Sequence, residues 1–264
     1  MLDVVTDKGT SNWLLPDWPA PENVKAVVTT RLSGHHSHEA NPSGYSYFNL
    51  AAHVNDSLEN VQRNRQTLAD YTGIAPSRFS WLEQIHGQHI VPANGEGQIT
   101  QADGSDTREE NLACVVMTAD CLPVLLCDLT GTQVAAVHAG WRGLAEGILS
   151  KAVQRFHDSS QVIAWLGPAI SQKHFEVGED VYQAFVAQQP QASKAFVSVS
   201  GTNKWMADIY LLARLQLNSA GLEQVYGGDF CTYADAEHFY SYRRDGQQSG
   251  RMASLIWKQA SGTN

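Results

Sequence analysis

The sequence predicts an α+β fold, mixed β-sheets packed with flanking helices, on three observations. Short, nearly continuous apolar runs crowd the middle of the chain at 112–117, 122–127 and 134–137. Helical spacing interrupts them without regular alternation, and several strand-like segments follow one another directly, which disfavours a purely parallel doubly wound sheet. Apolar residues make up 43% and charged residues 17% of the 264, with no disordered tract, repeat or composition break. The chain therefore reads as one catalytic domain over 1–264.

Each element has a local cause. Residues 24–31 are β-branched and lead into a Gly/Ser/His-rich loop at 33–44, whose His35, His36 and His38 read as solvated. Asp56-Ser57, with Glu59 three residues after Asp56, caps a helix over 57–72 that Gly73 ends. The three central runs are too short and too evenly apolar for amphipathic helices and fit strands buried on both faces, with 129–132 as a hairpin turn. After Gly143, Leu144, Ile148, Leu149, Val153 and Phe156 fall at helical spacing, and 162–166 is a strand ended by Gly167-Pro168. Helices follow at 178–188 and 207–219, the second closed by Ala220-Gly221, and strands at 222–227, 238–243 and 251–257.

Composition excludes several roles. The N-terminus has no basic region followed by an apolar run, and no segment approaches the ~20 apolar residues that span a bilayer. Four cysteines without a CxxC pair read as reduced thiols, so a cytoplasmic protein is expected. A net charge of −9, with no basic stripe beyond Arg243-Arg244, argues against nucleic acid. No phosphate loop of the GxxxxGK[ST] or GxGxxG kind is present. A small anionic substrate is compatible, since local arginines can oppose a global negative charge. The oligomeric state, monomer or homodimer, is left open.

Chemistry concentrates around Cys121, in the segment Thr-Ala-Asp-Cys-Leu-Pro-Val at 118–124. Alone it would be a small core residue. If 122–127 and 133–138 pair as a hairpin, however, Cys121 and His138 lie at the same end of the ladder. A cysteine beside a histidine is either a thiolate nucleophile with its base or a pair of metal ligands. His86 and His89, in Glu-Gln-Ile-His-Gly-Gln-His at 83–89, are the candidate third ligands. An electron-transfer copper site would flank the cysteine with histidines and an axial methionine, and Cys121 has neither. Arg142, four residues beyond His138, and the Arg243-Arg244 pair supply planar donors for phosphate or carboxylate.

Taken together, ThrAlaAspCysLeuProValLeuLeu at 118–126, ValHisAlaGlyTrpArgGly at 137–143, LeuGlyProAlaIle at 166–170, PheGluValGly at 175–178 and SerTyrArgArgAspGly at 241–246 resemble the YfiH family. That family is also labelled laccase-domain or polyphenol oxidase, and the likeness runs from about Thr29 to Ile256. The resemblance implies a fold like that of cytotoxic necrotising factors and a zinc ion, with copper as the alternative, on His86, Cys121 and His138. It implies phosphorolysis of adenosine, inosine, guanosine and methylthioadenosine, and deamination of adenosine, so purine nucleosides and phosphate are the expected partners. Cys121, His138 and Arg142 are the expected catalytic residues, with Arg31, Asn49, Arg243 and Arg244 contacting substrate. The chain has Tyr47-Phe48-Asn49-Leu50 where the family has Ser-Leu-Asn-Leu. The competing readings are a Cys-His amidase, as in peptidoglycan precursor editing, a copper-dependent polyphenol oxidase, and a metal-binding protein without catalysis.

Overall fold

The computed structural model describes residues 13–34, 45, 48–95, 97 and 99–260; His35, His36, His38 and Tyr47 lie outside the described residues. Two mixed sheets lie face to face. The first runs in the order β1 (Trp13–Leu14), β2 (Val24–Thr29), β16 (Met252–Lys258), β8 (Ala113–Thr118), β3 (Phe79–Ser80). The second runs β15 (Val225–Gly227), β11 (Val162–Leu166), β9 (Leu122–Asp128), β10 (Val134–Ala139), β7 (Gly104–Thr107), β5 (Ile90–Pro92). Two smaller sheets complete the set, β12 (Glu176–Gly178) with β14 (Lys204–Ala207) and β13 (Phe196–Ser198), and β4 (Leu82–Glu83) with β6 (Thr100–Gln101).

Strand periodicity explains the layering. Along β9, Leu122, Val124 and Leu126 pack with Ile148, Leu149, Leu212 and Leu217 of the helices α3 (Ile148–Val153) and α5 (Ile209–Ser219). The alternate residues Leu125 and Cys127 face the first sheet, against Val28, Val116 and Ile256. The outer face of that first sheet presents Val115, Met117 and Leu255 to Leu68 of helix α1 (Leu58–Thr72) and to Phe48 and Leu50. Each central strand is thus covered on both faces, which is why its sequence is apolar nearly throughout, the exceptions being Thr118, Asp128 and His138 at or near strand ends. Each fully buried Leu or Val adds roughly 1.5–3 kcal/mol relative to exposure.

The hairpin and the helix expected over 57–72 are present, with Ser57 and not Asp56 as the cap. Ser57, one residue after Asp56, caps α1 by accepting from the Asn60 N–H, and Gly73 ends the helix at φ 68. Strands β9 and β10 form the antiparallel hairpin. Three expectations are corrected. The helix over 144–156 is two pieces, α2 (Trp141–Ala145) and α3, because Gly147 takes a left-handed φ of 92 between them. Residues 238–243 form no strand: Phe239 and Tyr240 are buried in the inter-sheet core, and Ser241 caps the short helix α6 (Tyr242–Asp245). The strand expected over 222–227 is confined to β15. The remaining longer helix, α4 (Glu179–Val186), lies within the expected 178–188.

Nothing lies within 4 Å of a Cβ built on Gly147. Gly147→Ala should therefore lower stability by about 1–2 kcal/mol through backbone strain alone. A urea melt checks this: the midpoint falls with unchanged slope, whereas an unchanged midpoint would mean the break between α2 and α3 is not constrained.

Candidate metal centre

Cys121 lies where the chain steps from the first sheet to the second, in the three residues between β8 and β9. The step turns at Asp120, whose φ of 91 is unusual for a residue with a side chain. Its carboxylate accepts from Thr232 Oγ1 at 2.6 Å, Ser241 Oγ at 3.0 Å and the Arg243 N–H at 2.7 Å. Those bonds hold a strained turn that sets the direction of the next side chain, Cys121.

Hairpin register brings the second ligand. Ala139 pairs with Leu122 and His138 with Pro123, so His138 and Cys121 share one end of the ladder. On its other side β10 pairs with β7, and the His138 N–H donates to the Asp103 carbonyl at 2.7 Å. The fully buried Asp103 carboxylate accepts from His138 Nδ1 at 2.8 Å. That bond makes Nδ1 the protonated nitrogen and leaves Nε2 as the ligand atom.

Asp103 also sets the third ligand. Its carboxylate takes the backbone N–H groups of His86 at 2.9 Å, Gly87 at 2.7 Å and Ile85 at 3.3 Å. His86 has a left-handed φ of 58, and these bonds stabilise that conformation. The His86 and His138 rings meet edge-on with centroids 4.8 Å apart.

The donor atoms of His86, Cys121 and His138 all lie within 4.8 Å of one another, and among the described residues they form one group of this kind. A Cβ on Gly140 would sit 3.0 Å from His86 Cδ2 and 3.4 Å from both Cys121 Sγ and His138 Cε1, so glycine keeps the cradle open. A Cβ on Gly143 would collide with the Gly87 carbonyl, which explains how closely α2 approaches the His86 loop. Burial pushes the Cys121 thiol up, but attraction and hydrogen bonding to His138 and His86 outweigh it and bring the thiol down to about 6. Burial acts oppositely on His138, and Cys121 and Asp103 overcome it to lift the imidazole to about 9. Asp103, pushed up by burial, is held below the usual carboxylate range by His138 and the Gly87 and His86 N–H groups. One thiolate and two imidazoles are a donor set that could hold a single metal ion.

Other sequence candidates are distributed differently. His89 is outside the three-donor group and contributes its carbonyl, which accepts from the Asp103 N–H at 2.9 Å. Asn49 is buried and its amide is committed to the protein, to the Ala51 carbonyl, Asp56, and the N–H groups of Ala51 and Arg251. Arg244 spends its guanidinium on the carbonyls of Thr232, Tyr233 and Phe239 and on Asp245, pinning the loop that holds Asp120. Arg31 donates to the Ala236 carbonyl and lies over the Tyr240 ring. Arg243 is exposed, donates to the Glu176 carbonyl and lies over Phe175. Arg142 is exposed over the Trp141 ring.

Sequence reasoning missed Asp103, Asp120 and Gly140. The signal available for Asp103 was weak: one acid before Gly104, in a chain with 27 acids. Its role follows from the rule that a metal-binding histidine gives its other N–H to a carboxylate.

A family model described as multi-copper polyphenol oxidoreductase laccase matches residues 25–259. A purine nucleoside phosphorylase of Pseudomonas aeruginosa is 46% identical over 248 residues, covering 94% of this chain and 98% of its own. The purine nucleoside phosphorylase YfiH of Escherichia coli is 46% identical over 249 residues, covering 94% and 99%. A solved structure of a Neisseria meningitidis protein superposes with a TM-score of 0.87 at 46% identity, covering 95% of this chain and all of that one.

In metal-stripped protein, alkylation of Cys121 followed by mass spectrometry should rise with pH around a midpoint near 6, against ~8.5 for an unperturbed thiol. Because His138 and its Asp103 support favour the thiolate, Asp103→Asn should move that midpoint upward. Cys114 and Cys127, both pushed up to about 12 by burial, should stay unreacted across the range. A Cys121 midpoint near 8.5 in the parent protein would remove the electrostatic argument.

Proposed function

This chain belongs to the laccase-domain (YfiH) family, and from that premise we propose that it is a zinc-dependent purine nucleoside phosphorylase that also deaminates adenosine. The observation that carries the reading is near-full-length 46% identity to relatives named purine nucleoside phosphorylase, joined to the three-donor cradle of His86, Cys121 and His138. The whole chain is read as one catalytic unit. Adenosine, inosine, guanosine and methylthioadenosine are the proposed substrates, with phosphate as co-substrate.

His86, Cys121 and His138 would hold the ion, and zinc there supplies a Lewis acid next to the bound substrate. The protein's own part is positioning. Asp103 keeps His138 in one tautomer and orientation, and Asp120 and Gly140 keep Cys121 aimed and the cradle open. In phosphorolysis a phosphate oxygen bonds to the ribose anomeric carbon as the glycosidic bond breaks. The electron pair leaves with the purine nitrogen, which takes up a proton. Arg142 and Arg243, both exposed and without an ion pair among the described residues, are the candidates for steering the anion toward the site. In deamination water adds at C6 of adenosine and ammonia leaves, giving inosine.

A second reading is supported by the same geometry. Cys121, its Sγ within 4.8 Å of a ring nitrogen of a His138 that Asp103 orients, has the arrangement of a thiolate nucleophile with its base, as an amidase requires. His86 separates the two, because a thiolate–imidazole pair does not need it. A multi-copper oxidase is disfavoured, since one three-donor group among the described residues accommodates one ion.

Elemental analysis should find about one zinc per chain. Incubating metal-replete protein with adenosine should release adenine and ribose 1-phosphate only when phosphate is added, and inosine with or without it. His86→Ala, folded by circular dichroism, should lose both metal and nucleoside turnover. Full activity in that variant would defeat the metal mechanism, and several copper ions per chain would restore the oxidase reading.

A further inference from the structure

Among the described residues, two part-buried arginines, Arg251 and Arg65, pair with no carboxylate, and neither stands in the motifs around the cysteine and histidines. Arg251 opens the approach to β16, and Arg65 lies on α1. Both are tied to one segment, 49–51. The Arg251 N–H donates to Asn49 Oδ1 at 3.0 Å, and the Arg251 carbonyl accepts from the Leu50 N–H at 3.4 Å. Arg65 Nε donates to the Leu50 carbonyl at 3.0 Å, and its neighbour Asn64 donates to the Asn49 carbonyl at 2.8 Å. His53, two residues beyond this segment, feels the charge of both arginines.

The guanidinium groups are bound but not neutralised. Arg251 Nη1 donates to the carbonyls of Ser249 and Gly250 at 2.6 and 2.9 Å. The Arg65 guanidinium lies 3.9 Å from the Trp81 ring centroid, and Arg65 lines a cleft of about 360 Å³ with Gln62, Gln66, Phe79 and Trp81. The nearby acids are committed elsewhere. Asp56 serves Asn49, Ser57 and Asn60, and Asp120 serves Thr232, Ser241 and Arg243. Burial pulls Arg65 down to about 10 and Arg251 below its usual range, and lowers His53, with Arg251 and Arg65 adding to the effect. An ion pair would oppose such shifts. Met252 pairs with Thr118, so Arg251 stands beside the 119–121 step that carries Cys121, and the thiolate there favours its charge.

We propose that Arg251 and Arg65, with His53 at the rim, form the subsite for inorganic phosphate, the co-substrate in the phosphorylase reading on which this inference rests. Guanidinium groups bound through one edge to backbone carbonyls keep their other N–H donors for a tetrahedral oxyanion. The same bonds pre-organise the donors, so little side-chain freedom is lost on binding. Arg142, Arg243 and Arg244 then have secondary or structural roles.

The test uses the metal-replete enzyme and two readouts: calorimetric binding of inorganic phosphate without nucleoside, and the KM for phosphate in nucleoside turnover. Arg65→Gln and Arg251→Gln should each weaken phosphate binding and raise its KM by about tenfold or more, the loss expected for a charge-assisted contact. Metal content and the KM for nucleoside should be unchanged. Arg63→Gln, on the same helix but paired with Glu59 at the surface, is the charge control and should change neither. Arg251→Lys and Arg65→Lys keep the charge and should recover part of the binding, which guards against a folding defect. If the parent binds phosphate and both Gln variants bind it equally well, the subsite is wrong even where turnover needs phosphate. A parent that binds no phosphate overturns it too. If binding falls as expected but no phosphate-dependent product forms in the parent, the subsite stands and the phosphorylase reading fails.

Discussion

The Asp103 carboxylate accepts from the His138 ring and from three successive backbone N–H groups at Ile85, His86 and Gly87, so two donors from distant parts of the chain share one anchor. Burying an ionised carboxylate is costly unless it is paired and fully hydrogen-bonded. Here the compensation comes from groups that themselves need fixing: an imidazole that must present one nitrogen, and a histidine backbone in a left-handed conformation. Loss of Asp103 would release the tautomer of His138 and the loop of His86 together.

The third donor depends on a different constraint. Cys121 lies at the crossing between two packed sheets, and the chain makes that crossing through a strained turn at Asp120. The bonds that hold Asp120 come from 232–243, and Arg244 pins that segment in turn through three carbonyls. An arginine that resembles a substrate contact in sequence therefore supports the cysteine through the backbone.

Charge is organised on two scales. The chain as a whole carries −9, which holds polyanions off, while among the described residues Arg65 and Arg251 pair with no carboxylate, and Arg251 stands beside the Cys121 step. Partial burial lowers the dielectric around these groups and lengthens the reach of their fields. A small oxyanion can enter where a nucleic-acid backbone would be repelled.

Local chemistry made the central strands, the capped helix over 57–72 and the hairpin legible, because apolar runs, a cap and a Gly-containing turn act within a few residues. The pairing of Cys121 with His138 followed from that hairpin, since strand register converts sequence spacing into distance. His86 was distinguished from His89 through resemblance to a family, because both lie in the same short loop. The structure separates them by backbone: His86 turns left-handed over Asp103, while His89 contributes its carbonyl. Short edge strands and the break at Gly147 were not legible, since a two-residue strand has no period and Gly is tolerated within helical patterns. The sequence by itself determined the strand core and the chemical types of the donors. Tertiary structure decided which acid orients them and which segment Arg251 joins, because those contacts link residues 35 to more than 200 positions apart, between segments that carry no local signal of one another.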